Sequence, residues 1–312
     1  HSSVWTVLQD SRGLMWFGTK DGLNLYNGYS NTVFRSIPGD SSSLGNNFIR
    51  SLYEDTDTKD IWVGTDDGIY IFQPATMSFR PFAVTTEDGT RISGPVNDMV
   101  AGKDGALWIA AYGKGIFRYY PTTSSLVHYK APEDIITNHI WTIATDTYGK
   151  IWASTFRSGF CRYNEKRDAF DFFPVSKTGS LSDSYDTKSF LEDTENDCMW
   201  IGTVKYGLVR YDYHTGTMYR YINTPGSTLI QGINVILKPG PDGLLLGADN
   251  GLFYLNIKTR RCERLDMRPY NTPEEIRSVF ALVIDKEKGL WIGTYFDGVH
   301  YLRPGYDFFK RY

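Results

Sequence analysis

Four short turns in this sequence place an aromatic ring beside a charged neighbour: Tyr112-Gly113-Lys114, Phe156-Arg157-Ser158, Val204-Lys205-Tyr206 and Tyr295-Phe296-Asp297. The rings offer flat stacking faces. Lys and Arg offer donors for hydroxyl, carboxylate or sulfate oxygens, Arg through a planar fork. A second set recurs at one position of a repeated strand: Trp5, Arg50, Asn97, Trp141, Lys188, Asn234 and Phe280. Flat faces plus directional donors are the chemistry of holding a hydrated sugar, and the cations suit an acidic one. The candidate ligand-binding set is Tyr112, Lys114, Phe156, Arg157, Lys205 and Tyr206, with Arg50, Trp141 and Lys188 nearby. The same residue types also serve local packing, because half-buried rings and snorkelling cations are ordinary. A third column, Arg118, Arg162 and Arg210, is expected to be structural, stacking on or pairing with a neighbouring repeat.

Reaction chemistry is poorly represented. The five histidines (His1, His128, His139, His214, His300) form no pair at ligand spacing, so no metal site and no cofactor is expected. Neither a phosphate-binding glycine loop nor a Gly-x-Ser-x-Gly elbow occurs. Glycoside hydrolysis needs two converging carboxylates. Asp98 and Asp186 are the candidates to approach a central opening, and neither has an evident partner in the sequence. Cys161, Cys198 and Cys262 lack metal-type spacing and read as ordinary thiols, with one disulfide left open. A formal charge of −3 gives no field that would draw the chain to nucleic acid, and no apolar run reaches the length of a membrane span.

These residues must be held by repeated elements. Trp16, Trp62, Trp108, Trp152, Trp200 and Trp291 each begin a short motif such as Trp-Ile-Gly-Thr, and Leu245-Leu246-Gly247-Ala248 fills the one gap. The spacings are 46, 46, 44, 48, 45 and 46 residues, so seven copies fill the chain. Each copy reads as an apolar strand, an Asp- and Gly-bearing turn, the Trp strand, a short turn ending in Gly, a third strand and an aromatic fourth strand. The first strands are expected at Val4–Gln9, Ile49–Glu54, Val96–Ala101, 140–145, 187–192, 233–238 and Val279–Ile284. Fourth strands are expected at 77–82, Ala169–Phe173, 218–221 and 307–312, among others.

Four antiparallel strands per repeat of about 46 residues make a propeller blade. The fold class is therefore all-β: one seven-bladed β-propeller over 1–312, with blades near 1–37, 46–84, 94–130, 137–176, 185–223, 231–267 and 276–312. The Trp column is expected to be buried between blades. Blade 6, with Leu245 for Trp, is expected to show looser packing or compensation from a neighbour, because interiors leave few voids. Closure is expected through face packing of blade 1 on blade 7.

No Trp is followed by Asp and no Gly-Gly pair occurs, unlike WD and kelch repeats. The run Trp-Ile-Gly-Thr, a short turn, Gly-Leu and then Tyr resembles the two-component-regulator propeller repeat. The entering loops Leu44-Gly45-Asn46-Asn47-Phe48-Ile49 and Ile136-Thr137-Asn138-His139-Ile140 are similar to that family's as well. The resemblance implies the sensor region of a bacterial hybrid two-component system for polysaccharide use. It would lie in the periplasm and precede a second propeller, an immunoglobulin-like domain, a membrane helix and a histidine kinase. The start at His1-Ser2-Ser3-Val4, without Met, fits a piece of such a longer chain. The expected role is non-enzymatic: binding or helping to bind an oligosaccharide, with an acidic sugar favoured. Two alternatives stand beside it: a scaffold or homodimer surface with the ligand site elsewhere, and a propeller enzyme acting on polysaccharide.

Overall fold

The computed structural model describes residues 3–130, 138–156, 159–176, 185–222, 230–265 and 276–305. These form seven antiparallel sheets, each with its strands in chain order; six have four strands and the seventh has three described. The fold is a seven-bladed β-propeller. The fourth strand expected at 307–312 lies outside the described residues. Contacts divide the chain into two compact units, His1–Gly13 with Lys188–Tyr312, and Leu14–Thr187. The first holds blades 5, 6 and 7 and the first strand of blade 1; the second holds blades 2, 3 and 4 and the rest of blade 1.

Each residue of the Trp-x-Gly-Thr motif has a distinct task in these sheets. In the second unit, Trp16 lies 5.1 Å from Phe72 of blade 2, Trp62 lies 5.7 Å from Tyr119 of blade 3, and Trp108 lies 4.8 Å from Tyr163 of blade 4. Each partner sits four residues after the glycine that opens its third strand (Gly68, Gly115, Gly159). Such ring pairs hold blade to blade. The motif glycine permits close approach: a Cβ on Gly64 would stand 2.1 Å from Ser51 Oγ and 2.7 Å from the Val96 carbonyl oxygen. Ser51 Oγ itself donates to that carbonyl at 2.9 Å, crossing from blade 2 to blade 3. The motif threonine closes the turn. Thr65 Oγ1 donates to Gly68 O and accepts from the Asp67 N–H, both at 3.0 Å. Thr203 does the same with Gly207 and Tyr206, and Thr294 with Gly298 and Asp297.

The Asp of the first turn has a second role that the repeat pattern does not mark. An Asp at the start of the first turn accepts from the indole N–H: Trp152 to Asp146 at 2.8 Å, Trp200 to Asp193 at 3.0 Å, and Trp291 to Asp285 at 2.8 Å. Asp146 also accepts the Tyr148 and Lys150 backbone N–H groups, so one carboxylate organises both turn and tryptophan. Blade 3 has Gly102 at this place, and the Trp108 Nε1 is buried with no partner. Blade 6 has lost both members: Pro239 stands for the Asp and Leu245 for the Trp.

The gap expected at blade 6 is present. Leu245 is fully buried, yet a cavity of about 150 Å³ lies beside it, lined among others by Leu290 and Leu302 of blade 7. Five of the six tryptophans are buried as expected; Trp291 is only half-buried and stacks on Tyr301 at 4.6 Å. In the first unit, the first strand of blade 1 packs against blade 7. Ser3 Oγ donates to Tyr295 O at 2.5 Å, and Lys286 Nζ donates to the Asp10 and Ser11 carbonyls at 3.1 and 2.7 Å.

One strand is shorter than expected. The blade 4 strand runs Ile143–Thr145 rather than from residue 140, because the Trp141 and Thr142 N–H groups both donate to the Ser154 side chain, at 3.0 and 2.9 Å, instead of to a ladder carbonyl. The three cysteines are free thiols, so the disulfide left open does not form. Burial pushes the Cys198 thiol up to about 11 and the Cys262 thiol to about 12.

Candidate functional site

In four blades the repeated-strand column that holds Arg50 is a β-bulge. In blade 2, Ile49 pairs with Thr65 and Ser51 with Gly64, so Arg50 is the extra residue. Asn97, Asn234 and Phe280 occupy the same extra place in blades 3, 6 and 7. A bulge re-aims its side chain out of the strand's alternation, and here the side chains reach to the next blade. In the second unit, Arg50 donates to Asn97 Oδ1 at 3.2 Å and Asn97 Nδ2 to the Ile140 carbonyl at 2.8 Å. In the first, Lys188 donates to Asn234 Oδ1 at 3.0 Å and Asn234 Nδ2 to the Val279 carbonyl at 3.2 Å. Variation in this column therefore reflects blade-to-blade fastening as well as any contact with a ligand. Arg50 is further held by Asp66 and lies 4.6 Å from the Phe48 ring; Lys188 lies 5.8 Å from the Phe280 ring. Both cations are engaged by these partners within the propeller.

In the second unit, the aromatic turns of blades 3 and 4 do come together. The Tyr112 ring lies 5.1 Å from Trp141 and 4.6 Å from His139, and His139 lies 5.8 Å from Phe156. The backbone positions them: Tyr112 N donates to Pro95 O at 2.8 Å, and Lys114 N turns back to Ala111 O at 3.0 Å. Tyr112, Trp141 and Phe156 are half-buried, so each keeps part of a face in solvent, and Lys114 is exposed beside them. His139 does not stand out in the sequence, because no second histidine lies at ligand spacing; its place is that of a spacer between two rings, with a buried Nδ1 that has no partner. Arg157 lies outside the described residues.

In the first unit, Lys205 is exposed and the Arg220 guanidinium lies 4.7 Å from the Tyr206 ring. A second aromatic group is not evident as a group in the sequence, although its members are visible in the columns. Trp5 lies 4.9 Å from Phe280 and 5.8 Å from Tyr295, and Tyr295 carries the exposed Phe296 at 4.6 Å.

The acidic candidates are engaged differently from the expectation. Asp98 is partnered: its Oδ2 accepts from Thr142 Oγ1 at 2.6 Å and from the Ile143 N–H at 3.0 Å, tying blade 3 to blade 4. Burial raises its pKa against the opposing pull of those bonds. Asp186 forms an isolated bridge with Gly159. Among the described residues, no three His, Cys, Asp or Glu side chains come together as a metal site. The Arg column is structural; Arg118 reaches the neighbouring blade as expected, whereas the partners seen for Arg162 and Arg210 lie in their own blades. Arg118 lies 4.7 Å from the Trp108 ring and donates to Tyr163 Oη of blade 4 at 3.0 Å. Arg162 stacks on Trp152 and Phe173, and Arg210 is held by Asp212, Tyr219 and the Asn196 carbonyl.

Comparison with known proteins agrees with the repeat. The family model described as "two component regulator propeller" matches residues 1–21 and 43–67. The resemblance read from the Trp-Ile-Gly-Thr pattern is borne out, and the chain is similar to propellers of hybrid two-component systems. Among solved structures, the extracellular domain of a putative hybrid two component system from B. thetaiotaomicron is 26% identical, with a TM-score of 0.79 over 97% of this chain and 38% of that one. A second such extracellular domain from the same organism is 23% identical, with a TM-score of 0.79 over 97% and 40%. Virginiamycin B lyase of Staphylococcus aureus, at 13% identity and a TM-score of 0.70 over 97% and 95%, shares the fold alone. A curated protein named Histidine kinase P4, from Formosa agariphila, is 28% identical over 328 residues, covering 85% of this chain and 23% of that protein. The chain thus spans about two fifths of the solved relatives' length and a quarter of the curated relative's. No described helix is long and apolar enough to cross a membrane.

Proposed function

We propose that this propeller is a non-enzymatic, periplasmic sensing module of a hybrid two-component sensor, and that it binds or helps to bind an oligosaccharide. The observation that carries the reading is the aromatic group Tyr112, Trp141 and Phe156, joined through His139 on the turns of neighbouring blades. Half-buried rings of fixed orientation stack a pyranose face at little conformational cost. Lys114, exposed beside them, supplies the charge that favours an acidic sugar. The rest of the sensor, a second propeller and an immunoglobulin-like domain ahead of a kinase, would carry the signal onward.

Calorimetry of the chain against neutral and acidic oligosaccharides tests this. An acidic oligosaccharide is expected to bind, more weakly as salt rises, because exposed charges are screened within about 8 Å at physiological ionic strength. Tyr112→Ala with Phe156→Ala is expected to lower that affinity about tenfold or more. Unchanged affinity in the double variant would remove the site from these turns. A second reading, a scaffold propeller with the ligand held elsewhere, is favoured by the engagement of Arg50 and Lys188 in blade-to-blade bonds. It predicts no heat with any sugar for this chain and full binding by the whole sensor region.

A further inference from the structure

The cavity beside Leu245 has a cause that can be read from the repeat. In blades 1, 2 and 3 the Trp of one blade meets an aromatic ring of the next, Phe72, Tyr119 or Tyr163, four residues after the third strand's opening glycine. At the seam of blades 6 and 7 both members are changed at once. Leu245 stands for the Trp, and Leu302, four residues after Gly298, stands for the ring. Two rings have become two leucines, and both line the cavity of about 150 Å³. Its apolar wall is completed by Ile284 and Leu290, with Leu245 and Leu290 buried. Lys288 and Arg303, both exposed, also line it. Among the described residues no carboxylate lines it, and neither cation is in an ion pair.

Size and polarity together define the occupant. A partly open pocket of about 150 Å³ with an apolar wall has room for a benzene-sized guest. The flanking cations select a guest with a negative end, since a carboxylate gains charge-assisted hydrogen bonds from Lys and Arg. We propose that this gap is a binding site for a small planar aromatic carboxylate of one or two fused rings, whose ring replaces the missing indole and whose carboxylate meets Lys288 and Arg303. The site lies wholly within the first unit. It is separate from the turns of Tyr112 and Phe156, so the sugar reading can fail without it.

The experiment uses the full 312-residue chain with indole-3-carboxylate and neutral indole as probes, followed by ligand-observed NMR and calorimetry. Both probes are expected to bind, the carboxylate more tightly. Leu245→Trp is expected to abolish binding of both, and Leu302→Phe to weaken both about tenfold; the second variant serves if the first does not fold. Lys288→Ala with Arg303→Ala is expected to lower the carboxylate's affinity about tenfold and to leave indole unchanged. Absence of binding by both probes at millimolar concentration overturns the proposal. So does binding that survives Leu302→Phe and Leu245→Trp unchanged, or a carboxylate affinity indifferent to the two cations.

Discussion

The seam between blades 3 and 4 and the seam between blades 6 and 7 are built on the same plan and filled in opposite ways. At the first, Trp108 meets Tyr163, Arg118 stacks on both, and Tyr129 and Tyr163 donate to Asp168 at 2.7 and 2.6 Å. Those two phenols hold the Asp168 carboxyl below the usual range. At the second, Leu245 and Leu302 leave a cavity. Yet the filled seam carries the orphan: Trp108 Nε1 is buried without a partner, whereas the looser seam has no indole to satisfy. Filling a seam with Trp brings an indole N–H that needs an acceptor, and blades 4, 5 and 7 supply it as a carboxylate. Blade 3 has the ring with Gly102 in place of the carboxylate.

The comparison breaks if the filled seam can be emptied cheaply. Trp108→Leu with Tyr163→Leu recreates the blade 6 arrangement, and is expected to cost about 4 kcal/mol of unfolding free energy in denaturant titration, since large-to-small core changes cost about 2–5 kcal/mol each before relaxation. A loss well short of that, about 1 kcal/mol or less, would mean that the rings are not what holds the seam. Next in size is Asp146→Ala, which strips the Trp152 indole and two backbone N–H groups of their acceptor. A loss of about 2–3 kcal/mol is expected by the cost of leaving buried donors unpaired, read by the same titration.

Those two changes rest on different kinds of legibility. The seven Trp-type motifs and their spacing are visible because a large ring recurring near every 46 residues is the mark of a stacked repeat and of little else. The Asp is hidden, because it sits among turn residues where Asp is common for its own reasons, and its distance to the Trp varies from Asp146–Trp152 to Asp193–Trp200. The bulge column is visible as a variable position, but its cause is not. A one-residue excess on one strand leaves no mark until the partner strand's register is known. Of the site, the turn rings are legible through their added residue. The engagement of Arg50 and Lys188 is not, since their partners lie 47 and 46 residues away.

Blade 5 sharpens the comparison through pH. Burial alone would raise the Asp193 carboxyl, but bonds from Lys238, Trp200 and Asn196 outweigh it and hold the group below its ordinary value. A depressed carboxyl contributes stability above its unfolded value and loses it as pH falls through the folded one. The chain should therefore lose stability on the acid side of the usual carboxylate range, and Asp193→Asn should flatten that part of a stability–pH curve. An unchanged curve would place the acid sensitivity elsewhere. The smallest effect is expected from Gly102→Asp, which offers Trp108 the acceptor it lacks. A Cβ there would lie 2.8 Å from the indole nitrogen and 2.4 Å from the Asp104 carboxylate, so both the Trp108 ring and Asp104 must shift. A gain of about 1 kcal/mol is expected, as for a typical net hydrogen bond; a loss would show that Asp104 and the Trp108 ring cannot both give way.

Seven sheets of one pattern face a sorting problem as they assemble, because any blade's face could dock on any other. The residues of this column give the seams different addresses. Arg50 finds an amide in Asn97, Lys188 one in Asn234, and Trp5 a flat partner in Phe280. A blade docked out of order would set a cation against a tryptophan without its amide, or a ring against a wet asparagine. Discrimination of this kind works by penalising the wrong neighbour as much as by rewarding the right one. The most variable position of the repeat is thus the one that tells the blades apart.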